Sequence, residues 1–106
     1  MKKDVIFSEK EGTLIAHIGC DIDHHTAKPM REKIDKKLLE IRPKALMLDF
    51  SGVGFMDSSG LGLILGRVEK ASEAGASVYL VGLSPTLMKL VRLSGIERVR
   101  NLSLIK

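Results

Sequence analysis

The sequence predicts an α/β fold: a mixed, mostly parallel sheet with an N-terminal hairpin and helices packed against it. Three observations carry that expectation. Two short β-branched or apolar runs flank Glu11-Gly12 near the start, as in two strands joined by a turn. Beyond them, short apolar runs alternate with longer segments whose apolar residues recur every three or four positions. Finally, 106 residues provide one hydrophobic core and no more.

The hairpin strands are Val5 to Phe7 and Thr13 to Ile18. Thr26 is placed to cap the first helix, in which Ala27, Met30, Ile34, Leu38 and Ile41 form one stripe with Lys and Glu opposite. Pro29 fits such a helix in its first turn, where N–H groups have no intrahelical acceptor, and Pro43 ends it. Ala45 to Phe50 is nearly all apolar up to Asp49, as in a parallel strand covered on both faces. Leu61, Ile64, Leu65, Val68 and Ala71 make a second helical stripe, with Gly75 where a C-terminal cap belongs. Val78 to Val81 is a further buried strand. Ser84-Pro85 reads as an N-cap and first helical residue, Gly95 closes that third helix, and Val99 to Ile105 supplies an edge strand. Gly62 and Gly66 are expected to let the second helix approach its sheet closely.

Composition narrows the function classes. A chain that is 44% hydrophobic and 28% charged is built to fold, not to stay disordered. Its single cysteine, Cys20, precludes an intramolecular disulfide or a cysteine-rich zinc site. Met1-Lys2-Lys3 leads into Asp4 without an apolar stretch, and no apolar run is long enough for a bilayer. The expectation is one cytoplasmic domain over residues 1–106, with no membrane partner. The net charge of +4 tempts a nucleic-acid reading. Yet Lys28, Arg31, Lys33, Lys36 and Lys37 interleave with Glu32, Asp35 and Glu40, as on a solvated helix face, and aromatics make up only 4%. No nucleic-acid partner is expected.

In parallel α/β sheets, functional groups gather beyond the carboxyl ends of strands, where the next helix begins. That junction here runs from Asp49 through Ser51, Gly52 and Gly54 to Asp57, Ser58 and Ser59. Hydroxyls at a helix N-terminus lie among unsatisfied N–H groups and tolerate an anion, bound or made on the serine itself. One residue of Asp57, Ser58 and Ser59 suffices as a cap, so at least one hydroxyl is left over. Gly60-x-Gly62-x-x-x-Gly66 lies too far after the strand for a dinucleotide loop, and neither a P-loop nor a Gly-x-Ser-x-Gly elbow is present. The cluster Cys20-Asp21-Ile22-Asp23-His24-His25 offers possible metal ligands, but adjacent histidines cannot share one face. It reads better as a helix start at Asp23 and Thr26, with no metal. This turn is expected to share a sheet edge with the Asp57-Ser58 loop.

Asp49-Phe50-Ser51 followed by Phe55-Met56-Asp57-Ser58-Ser59-Gly60-Leu61-Gly62-Leu63-Ile64-Leu65-Gly66-Arg67 resembles the signature of bacterial anti-sigma factor antagonists, which are STAS-domain proteins. The likeness is to the sporulation type in particular. Asp23-His24-His25-Thr26-Ala27 resembles that group's first strand-to-helix turn, and Ser84-Pro85 its third helix start. One departure is Cys20, where sporulation-type sequences usually carry glycine.

The resemblance implies a STAS-like fold and a partner switch without catalysis. In the family, the unphosphorylated antagonist binds an anti-sigma factor that is also a serine kinase, and so releases the sigma factor. The kinase, using its own ATP and Mg²⁺, phosphorylates the first serine of the Asp-Ser-Ser run, here Ser58; a phosphoserine phosphatase restores it. The chain itself then needs no cofactor. Asp23 matches a residue of the kinase-facing turn, and His24, Thr26, Asp57, Ser59, Gly60 and Gly62 complete the partner-binding set. The rival is a free-standing nucleotide- or phosphate-binding domain or enzyme using the Asp57-Ser58 helix N-terminus. A STAS module tethered to a transporter fits less well, since no membrane span accompanies it.

Overall fold

The computed structural model describes residues 4–105; Met1 to Lys3, on which the expectation of no secretory leader rests, and Lys106 lie outside them. The elements are β1 (Val5–Lys10), β2 (Thr13–Ile18), α1 (His24–Ile41), β3 (Ala45–Asp49), α2 (Ser58–Glu73), β4 (Ser77–Val81), α3 (Pro85–Ser94), a 3₁₀ turn (Ile96–Arg98) and β5 (Leu102–Leu104). The strands lie side by side in chain order, β1 antiparallel to β2 and every later pair parallel. Helical crossovers between parallel strands are right-handed, so a sheet wound in one direction collects its helices on one face. The burial pattern agrees: Leu14, Ala16, Leu46, Leu48, Val78, Leu80 and Leu102 join Met30 and Ile34 of α1, Ile64 and Val68 of α2, and Leu87 and Val91 of α3 in one core.

The opposite sheet face carries no helix among the described residues. The apolar run Ala45 to Phe50 is therefore covered on one side only: Leu46 and Leu48 are fully buried, while Ala45 and Met47 are half-buried on the helix-free face. Periodicity failed similarly in α2. Leu65 is 47% exposed, and its expected place in the core goes to Leu63 and to the aliphatic stem of Arg67. The Arg67 guanidinium touches Asp35 of α1 at 2.7 Å, tying the two helices across their contact. Burial pulls the pKa of Arg67 below its usual value; Asp35 opposes that and nearby Arg31 adds to it.

Two further expectations change. Asp23, not Thr26, is the N-cap of α1, and Pro29 consequently falls in the second turn, inside the helix. Its missing N–H faces the carbonyl of exposed His25, which water can satisfy. Gly62 and Gly66 do not serve close packing, because a Cβ at either would meet nothing within 4 Å. Helix α3 matches its reading: the Ser84 side chain accepts from Leu87 N–H, Pro85 is the first helical residue, and Gly95 closes it at φ 78°.

Candidate functional site

Because β2 and β3 are parallel neighbours, the chain leaves both at the same edge of the sheet. The two exits are stitched together. Ile22 N–H donates to Phe55 O (3.0 Å) and Asp57 N–H donates to Ile22 O (3.1 Å), with Ile22 and Met56 both buried beneath. Asp21 adds a second tie: its Oδ1 accepts the N–H groups of Gly54 and Phe55, each at 3.0 Å. The expected shared edge is thus present, and Asp21 holds the loop that leads into α2. The sequence alone groups Asp21 with possible metal ligands. Its signal is the alternation Asp21-Ile22-Asp23, in which a buried residue between two outward ones marks an extended segment.

At the start of α1, Asp23 Oδ1 accepts from His25 N–H (2.8 Å) and Thr26 N–H (3.0 Å). Thr26 Oγ1 in return accepts Asp23 N–H (3.0 Å), completing a capping box. Those backbone bonds from Thr26 and His25 hold the Asp23 carboxyl below its ordinary value. His24 and His25 stack loosely on the exposed surface of this turn, ring centroids 3.9 Å apart. Among the described residues, no group of three or more His, Cys, Asp or Glu is placed to hold a metal.

The start of α2 is built differently. Asp57 caps it through one side-chain bond, accepting Ser59 N–H at 2.7 Å. Gly60 stands where α1 has Thr26, and it cannot return a bond to the cap. It is glycine for a packing reason: an added Cβ would come within 2.7 Å of Met56 Sδ and 3.0 Å of Met56 Cβ. Ser58 is exposed, and its hydroxyl makes no hydrogen bond among the described residues. Ser59 is half-buried and lines a groove between α1 and α2 with His24, Lys28, Arg31 and Gly62. Phe55, just before this helix, is 56% exposed although aromatic.

Asp49, at the start of the same junction, is committed elsewhere. Its Oδ1 accepts Ser51 N–H (3.0 Å), and its Oδ2 accepts His17 Nδ1–H (2.8 Å) on the helix-free face. His17 Nε2 then accepts the Ser8 hydroxyl at 3.0 Å. Burial works to raise the pKa of Asp49, but the bonds from Ser51 and His17 outweigh it and the carboxyl is held low. Among the described residues, no carboxylate or imidazole is hydrogen-bonded to Ser58 in the way a general base holds a nucleophile. The site offers a free hydroxyl, a helix N-terminus and an exposed surface around both.

The STAS domain model matches residues 4–104. An anti-sigma F factor antagonist of Lysinibacillus sphaericus is 31% identical over 84 residues, spanning 79% of this chain and 72% of that protein. Another from Paenibacillus polymyxa is 28% identical over 99 residues, spanning 93% and 85%. Among solved structures, the Bacillus cell fate determinant SpoIIAA in its phosphorylated form is similar at 25% identity with a TM-score of 0.72, covering 96% of this chain and 91% of that one. The chain belongs to the STAS family, among its anti-sigma factor antagonists. Proteins of this class are regulators that act by binding, not enzymes. Among the described residues, no helix is long and apolar enough to cross a membrane.

Proposed function

We propose that this chain is a phosphorylation-controlled partner switch. Unphosphorylated, it binds an anti-sigma factor that is also a serine kinase, and the sigma factor is freed. Phosphorylation on Ser58 ends that binding, and a phosphoserine phosphatase restores it. ATP and Mg²⁺ belong to the kinase, and the cycle runs in the cytoplasm. The observation that carries this reading is the exposed, unbonded Ser58 hydroxyl at the open start of α2. Ser59 is a poorer acceptor, being half-buried against α1, and the Thr26 hydroxyl is engaged with Asp21 O at 2.9 Å. Asp23, His24, Thr26, Asp57, Ser59, Gly60 and Gly62 surround Ser58 as the partner-binding surface, and exposed Phe55 adds an apolar anchor to it.

A phosphate on Ser58 adds about −1.5 to −2 charges at one point. The helix N-terminus offsets part of this, whereas Asp57 repels it. In a contact made for a neutral hydroxyl, the dianion would also shed its hydration without a partner. Either effect supplies the few kcal/mol that convert tight binding to weak, at about 1.4 kcal/mol per tenfold. The test is phosphorylation by the cognate kinase with Mg·ATP, followed by peptide mass spectrometry. Phosphate should map to Ser58; Ser58→Ala should bind the kinase and resist inactivation, and Ser58→Asp should bind it poorly. Phosphate mainly on Ser59 or Thr26 overturns the assignment. Labelling or hydrolysis of ATP by the chain alone would favour the nucleotide-binding alternative.

A further inference from the structure

The groove between α1 and α2 has an uneven charge. His24, Lys28 and Arg31 lie at helical spacing along one wall, and no carboxylate lines it. Two other cations of α1 have partners: Lys33 meets Asp4 at 2.6 Å and Lys37 lies 3.9 Å from Glu40. Lys28 and Arg31 have no ion pair among the described residues. Just below, Asp35 is paired with Arg67. The surface therefore presents positive charge that its own fold leaves unanswered.

The facing wall carries Gly62, exposed within α2. Glycine inside a helix is less favourable than alanine, and here a methyl group would meet nothing within 4 Å. The fold gains nothing from this glycine, yet its bare backbone widens the groove beside Ser59, one residue from Ser58. Room and positive charge thus coincide on a surface continuous with the phosphorylation site.

Building on the partner-switch reading, we propose that this groove seats an acidic segment of the anti-sigma partner, with Lys28 and Arg31 supplying the charge and Gly62 the space. Phosphate added at Ser58 then places negative charge beside the mouth that receives the partner's carboxylates, and repels them. Complementary charge of this kind acts through association rate and is sensitive to salt. No Phe, Tyr or Trp lines the groove as a platform for base stacking, which favours a protein segment over a nucleic acid.

The probe is the purified cognate anti-sigma factor, identified beforehand by capture on the wild-type chain. Its binding to wild type, K28E/R31E and G62A is measured by calorimetry at low and high salt, alongside thermal melts of each chain. K28E/R31E should melt like wild type, bind at least about tenfold more weakly at low salt, and lose most of the salt dependence. G62A should melt higher than wild type and still bind more weakly, a combination that damage to the fold cannot produce. If K28E/R31E and G62A bind like wild type, the groove is not the seat and the inference falls, while the partner switch stands. If wild type itself binds no anti-sigma factor, the partner-switch reading fails and takes the groove assignment with it.

Discussion

Helices α1 and α2 both start at an aspartate at the same edge of the sheet, and they are finished in opposite ways. At α1, Asp23 takes two backbone N–H groups and Thr26 returns a bond to it, so the end is closed by its own sequence. At α2, Asp57 takes one, and the third helical residue is Gly60, which has nothing to return. The cause lies underneath. Met56, paired with Ile22 to join the two exits, occupies the space a side chain at position 60 would need. The packing that fixes the loop thus forbids the second half of a capping box. It leaves Ser58 on an unfinished helix end, where an added anion is tolerated. One junction is closed by its own side chains, and the other leaves an exposed hydroxyl unbonded.

The comparison is broken most directly at Gly60. Alanine there gains helix propensity but drives a methyl into Met56, and overpacking of this kind costs about 1–3 kcal/mol. Gly60→Ala should lower the urea midpoint by an amount worth about 1–2 kcal/mol net of propensity, with the m-value unchanged. Resonances of Ile22, Met56 and Ser58 should move with it. An unchanged or raised midpoint would show that Met56 swings aside freely, and the packing account of the open end would then be wrong.

Smaller effects distinguish the two caps themselves. Asp57→Ala removes a single side-chain bond and should cost about 0.5–1 kcal/mol. Asp23→Ala removes two and strands Thr26, so its urea midpoint should fall further. Should Asp57→Ala prove the costlier change, the contrast between closed and open ends is mistaken. Because Asp23 holds the fold, its role towards the partner needs a substitution that keeps the cap. Asp23→Asn retains the acceptor oxygen and drops the charge. It should melt near wild type yet bind the anti-sigma partner at least about tenfold more weakly. Unaltered binding would reduce Asp23 to a cap.

Much of this was legible in the sequence, and the exceptions share a cause. Strand and helix order, the α3 caps and the pairing of the two junctions follow from local pattern: Ser84-Pro85, Gly95, and two strand exits in a parallel sheet. What local pattern does not carry is which side of the sheet the chain winds on. The apolar run therefore reads Met47 and Ala45 as core, whereas they lie on the helix-free face. Nor does it tell a buried arginine from a surface one, because the partner of buried Arg67, Asp35, lies on another helix. Gly60, Gly62 and Gly66 look alike in the sequence. Only the position of Met56 makes the first a packing glycine and leaves the other two open.

The smallest effect separates the closed end by acid. The Asp23 carboxyl is held below its ordinary value of 3.8, first by the Thr26 N–H bond and then by that of His25. A carboxylate with a depressed folded-state pKa contributes stability that is present above its unfolded pKa and lost as pH falls through the lower, folded value. The cap should therefore persist unchanged from neutrality to about pH 4 and come apart only below that. The protonated carboxyl is a weaker acceptor, so the His25 and Thr26 amide protons should lose their downfield shift together as it titrates. An NMR titration from pH 6 to acid reads this directly, with both amides sharing one midpoint below 3.8. A shared midpoint at or above that value would mean that the two N–H bonds do not favour the charged carboxylate, and the closed end of α1 would have to rest on Thr26 alone.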